Sequence, residues 1–145
     1  MIFTIGIITI ILGLIGWVGQ TLAVFNNELA TKLGLSETEE VMDPTMLAFE
    51  RFSMGIMDFL LMWILPLSGY LMIIGNEWWP VLALVGGAVY LYIPGCFSIT
   101  RIVLGKRGLK IGTRSALITA YVLAVLWTVD ALVMMSLAVK ELNLL

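Results

Sequence analysis

Long apolar runs alternate with short polar stretches along this chain, and the apolar runs set its architecture. They cover residues 1–25, 52–74, 78–100 and 115–139. A helix needs about 20 predominantly apolar residues to cross a bilayer, and each run is long enough to do so with some tilt. The pattern predicts an all-α protein, a single domain over residues 1–145 built as a four-helix membrane bundle. Only residues 75–77 separate the second run from the third, so those two helices are expected to be antiparallel neighbours.

The second run carries the most information. The stretch DPTMLAFERFSMGIMDFLLMWILPLSGYLMIIG predicts one long helix that begins in water. Asp43 suits the N-cap, and Pro44 suits the first helical position, where its missing N–H costs nothing. Between Phe52 and Ile74 the one charged residue is Asp58. A carboxylate in a span is costly unless it faces protein, water or a partner. Arg51, Gly55, Asp58, Met62 and Gly69 recur at helical spacing, so one face carries the charges and the gaps.

Composition agrees with the pattern. The chain is 61% hydrophobic and 12% charged, with a mean hydropathy of +1.05, whereas soluble domains carry about 25% charged residues. The expected setting is an integral membrane protein, in the plasma or inner membrane if prokaryotic, with the lipid bilayer as its surroundings. There is no histidine, which removes the commonest metal ligand and the usual general base. The single cysteine, Cys96, rules out an internal disulfide, a CxxC redox pair and a Cys-based zinc site. No metal, no resident cofactor and no nucleic-acid partner are expected. The first run lacks the basic start and the clean small-x-small site of a signal peptide, and is read as a retained span.

Charge distribution predicts orientation. Lys32, Arg51, Arg101, Lys106, Arg107, Lys110 and Arg114 lie on the side of the two longer loops, against Lys140 alone on the other. The positive-inside rule puts both loops in the cytoplasm and both termini outside, with Trp78 and Trp79 as anchors at the outer interface.

Within the first run, Gly6, Thr9, Gly13, Gly16, Gln20, Ala23 and Asn27 alternate at spacings of three and four. Small residues let helices approach closely in lipid, so this stripe predicts a packing seam, with a homodimer or pore-lining face as the alternative. Pro66 and Pro94 are expected to bend the second and third helices, Pro94 freeing the carbonyl of Tyr90.

The first long loop, residues 26–43, is acidic, and Ser36 with Glu39 forms a capping box that predicts a short helix near Glu37. The second, residues 104–113, is basic and glycine-rich. The two are expected to pair with each other or with lipid headgroups. GKRGLKIG lacks the spacing of a phosphate-binding P-loop, so no nucleotide site is assigned.

Two acids lie inside the spans. At about 1.5 Å per residue, Asp130 falls near the midplane and Asp58 roughly 8 Å toward the inner side. Asp58 is expected to pair with Arg101 or Arg51, with Gln20 at a similar depth. Asp130 has no cation at its depth, and its expected partners are the hydroxyls of Tyr90, Tyr92 or Thr9.

The layout and one short motif resemble the MAPEG family of small membrane enzymes. That family has four spans, an outside N-terminus and a compact trimer, and acts on glutathione and hydrophobic substrates. Arg51 matches the Arg of its second-helix motif; Gly55 stands where the family has Asn, and Asp58 where it has Glu. Arg101 and Arg114 match arginines late in the third helix and opening the fourth. The resemblance implies a glutathione-type ligand at these positions, with the Asn absent.

Three functional readings follow. The first is an oligomer-forming or accessory subunit of a membrane complex, with Asp130 meeting a partner. The second is a MAPEG-like enzyme or binder of a lipid- or glutathione-type ligand, with Arg51, Asp58, Arg101, Arg114, Gln20 and Tyr90 as candidate contacts. The third is a small proton-coupled transporter using Asp130.

Overall fold

The computed structural model describes residues 2–143, so Met1, the first residue of the predicted first segment, lies outside them. Among the described residues the chain is helical, with one isolated β-bridge and no strands. Four helices are long and apolar enough to cross a membrane: α1 (Ile2–Phe25), α3 (Pro44–Ile73), α4 (Trp79–Lys106) and α5 (Arg114–Glu141). A short helix, α2 (Asn27–Lys32), follows α1.

Helix α3 starts where capping chemistry predicts. The Asp43 carboxylate accepts from the Thr45 and Met46 N–H groups, and Pro44 occupies the first turn. The helix is not uniform. A π turn spans Phe49–Met54, and the α-helical pattern is interrupted between Leu61 and Ile64. The second irregularity has a covalent cause. Pro66 has no N–H to offer the Met62 carbonyl four residues earlier. The Tyr90 hydroxyl of α4 lies 3.0 Å from that oxygen and 3.0 Å from the Gly13 oxygen.

The seam of α1 packs against α3. A Cβ at Gly13 would meet the Pro66 ring at 2.6 Å, so only glycine permits this approach. Gly6 lies against Gly69 and Ile73, and Gly55 against Val24, so the two helices run antiparallel. Helices α3 and α4 are antiparallel too. A Cβ at Gly86 would meet the Leu65 backbone at 2.7 Å, and Ser68 donates to the Trp79 carbonyl. The α4–α5 contact completes the core around Leu65, Ala83, Tyr90, Ala131 and Met134.

At one end the two longer loops are joined. Met42 and Ile111 form the β-bridge, Asp43 N–H donates to Lys110 O, and Gly112 N–H donates to Val41 O. The Lys110 ammonium donates to Glu40 O. The predicted short helix near Glu37 is absent. The helix forms earlier, capped by Asn26, whose side chain accepts from Leu29 N–H. Ser36 donates to Asn27 instead of capping, and Glu37 accepts from both the backbone N–H and the hydroxyl of Thr113. The Glu37 contacts cross from one loop to the other, and together with the Ser36–Asn27 contact they outweigh the local capping preference.

Candidate functional site

Beneath the joined loops lies a cavity of roughly 460 Å³. Helix α1 lines one wall with Gly16, Gly19 and Gln20, and α5 lines the facing wall with Ala116, Ala120 and Leu123. These two helices meet away from the loops. Thr9 donates to Asp130 at 2.8 Å, and the Trp127 indole donates to Leu12 O at 2.9 Å. Toward the loops they part. Ile15 and Thr119, on opposite walls, both line the cavity and are exposed. The cavity therefore opens sideways between α1 and α5.

Its polar end is built by α3 and α4. The π turn carries Glu50 and Arg51, and Asp58 lies two turns further on. All three line the cavity together with Arg101. A π turn adds a residue to one helical turn, and such insertions recur at functional sites. The Arg101 guanidinium donates to Glu50 at 2.8 Å and to the Ile111 carbonyl. It also stacks on the Phe97 ring, 4.3 Å from its centroid. Arg101 is thus held on three sides.

The expected pairing of Asp58 is corrected by this geometry. Arg101 is taken by Glu50 and the loop, which lie at its own depth. Arg51 stacks on Phe52 at 4.8 Å and makes a long contact, 3.5 Å, to Val24 O. Neither reaches Asp58, which is 1% exposed with Oδ2 unpartnered. Among the described residues, four buried side-chain atoms lack a hydrogen-bond partner: Glu50 Oε1, Arg51 Nε, Asp58 Oδ2 and Arg101 Nε. All four belong to residues lining this one cavity.

The other candidates lie elsewhere. Arg114 is exposed at the start of α5, outside the cavity lining. Tyr90 is buried in the core, bound to the Met62 and Gly13 carbonyls and not to Asp130. Tyr92 is 70% exposed. Asp130 is 7% exposed, and Thr9 supplies its hydrogen bond. Gln20 is half-buried and lines the cavity.

Glu50 and Glu37 are the contributors that sequence reasoning missed. Glu50 carried a signal: with Leu47, Met54 and Asp58 it falls on the helical repeat that faces the cavity. Glu37 carried none, since its partner Thr113 is 76 residues away. Among the described residues, no group of three or more His, Cys, Asp or Glu side chains is placed to hold a metal ion.

Comparison of the chain with protein-family models, with curated proteins and with solved structures found no match.

Proposed function

We propose that this chain is an integral membrane protein, a four-helix bundle with its joined loops on the cytoplasmic side and both termini outside, that binds a small amphiphile in the cavity between α1 and α5. The observation that carries this reading is that all four unpartnered buried polar atoms belong to residues lining one cavity. Leaving such a group unpaired costs about 1–3 kcal/mol, so native proteins rarely retain several together without a use. A cavity of this size falls within the usual range for small-molecule sites. Its apolar walls and sideways opening suit a ligand that arrives from the bilayer.

The subunit and transporter readings both place the working group at Asp130. That carboxylate is enclosed by its own chain and bound by Thr9, which favours a structural role for it. The glutathione-type variant of the binding reading shares Arg51 and Asp58 but has Gly55 where the MAPEG motif has Asn, and Arg114 lies outside the cavity.

The test uses a cavity-filling variant. Gly19 lines the cavity, and a Cβ there meets nothing within 4 Å. Gly19→Phe is expected to abolish binding of a fluorescent fatty-acyl probe to the purified protein while leaving its thermal unfolding unchanged. Equal probe binding by the variant would contradict the proposal.

A further inference from the structure

The cavity's unpartnered atoms lie at two depths: Arg51 Nε, Arg101 Nε and Glu50 Oε1 toward the loops, and Asp58 Oδ2 further in. Near the loops is a guanidinium, Arg51, that takes part in no ion pair among the described residues and whose Nε is buried without an acceptor. Deeper is Asp58, with an oxygen buried without a donor. Seven residues of helix separate them, on the order of 10 Å of rise. The second guanidinium, Arg101, is already neutralised by Glu50, so Arg51 is the cavity's free positive charge. An arginine calls for an anionic group, and a carboxylate oxygen accepts from an N–H or O–H.

We infer that the ligand is an acyl-chain amphiphile with an anionic end for Arg51 and, between that end and its chain, an N–H or O–H donor for Asp58. The inference rests on the cavity being a binding site and adds the chemistry of the head. The chain leaves through the opening beside Ile15 and Thr119, so the ligand reads outward from bilayer to loops as chain, donor, anion. A quaternary ammonium head does not meet these demands, because it has no hydrogen to give Asp58. N-acyl amino acids and lysophosphatidic acids both have the required order of groups, the first with an amide N–H and a carboxylate, the second with a hydroxyl and a phosphate.

The experiment compares ligands on the unaltered protein in phosphatidylcholine nanodiscs, so that no variant needs to fold. N-palmitoylglycine carries donor and anion, N-palmitoylsarcosine keeps the anion and loses the donor, and N-palmitoylethanolamine lacks the anion. Palmitoyl lysophosphatidate is the fourth arm. Either N-palmitoylglycine or the lysophosphatidate should bind at least roughly tenfold more tightly than the sarcosine and ethanolamine compounds, the size of effect expected for one unpaired buried group. Whichever of the two binds more tightly identifies the source. Asp58→Asn should shrink the glycine-over-sarcosine preference, and Arg51→Gln the preference for the anion. Equal binding of all four ligands would overturn the head-group inference and leave the binding site standing. Binding of none would overturn both.

Discussion

The Tyr90 hydroxyl lies 3.0 Å from the Met62 carbonyl, the acceptor that Pro66 leaves without a helical partner. It lies equally close to the Gly13 carbonyl, so one side chain of α4 ties α1 to the irregular part of α3. Its single proton serves two acceptors in a fully buried position.

Tyr90→Phe should therefore destabilise the protein by about 1–3 kcal/mol, the cost of leaving buried polar groups unpaired. Tyr92→Phe, at a residue that is 70% exposed, should have no measurable effect. Chemical unfolding in detergent micelles compares the two. Equal stabilities would remove Tyr90 from this role.

Thr9 and Asp130 make the corresponding tie between α1 and α5. Thr9→Val preserves shape and removes the donor, and should cost a similar amount, about 1–3 kcal/mol. Thr9→Ser retains the hydroxyl and should recover most of the loss. The pair is resolved by thermal unfolding, and a serine variant as unstable as the valine one would point to packing instead.

The Glu50–Arg101 pair is enclosed on both sides, with side-chain exposures of 19% and 6%. Arg101→Met leaves Glu50 without its cation and the Ile111 carbonyl without its donor. A loss of about 3–5 kcal/mol is expected, as for other enclosed pairs broken from one side. Adding Glu50→Gln should restore part of it, because no unpaired charge is then left inside. A double variant as unstable as the sum of its singles would show that the two residues act independently.

Glu37 should control the loops. Glu37→Ala removes the acceptor for the Thr113 N–H and hydroxyl, and should speed proteolytic cleavage within residues 26–43. The protease digest is run against Glu39→Ala, whose parent residue is exposed in the same loop. Indistinguishable cleavage would mean that the Met42–Ile111 bridge and the Lys110–Glu40 contact hold the loops without Glu37.

Much of this fold could be read from the sequence because its causes are local. The lengths of the apolar runs place the four long helices, Asp43 and Pro44 mark the start of α3, and the stripe from Gly6 to Ala23 marks the face that packs. The Pro66 effect was foreseeable as a bend, but the identity of the hydroxyl that satisfies Met62 depends on how α4 lies across α1 and α3. The site was legible in part. Asp58 and Gln20 stand out as polar residues at one depth, with Arg51 and Arg101 nearer the loops, and the cavity gathers all four. Their pairing was not legible, because Arg101 is claimed by Glu50 and by the Ile111 carbonyl through a loop contact that no helical spacing encodes. Glu37 was hidden for the same reason, and the Ser36–Glu39 capping box misled because Ser36 is taken by Asn27 and Glu37 by Thr113 of the other loop.

The central claim is that the cavity holds a molecule. Native mass spectrometry of the protein, extracted gently from its own membrane, tests it most directly. The account predicts chains carrying a small organic-extractable molecule that is absent from Gly19→Phe prepared in the same way. A bare chain in both preparations, or the same bound mass on the filled variant, would contradict it.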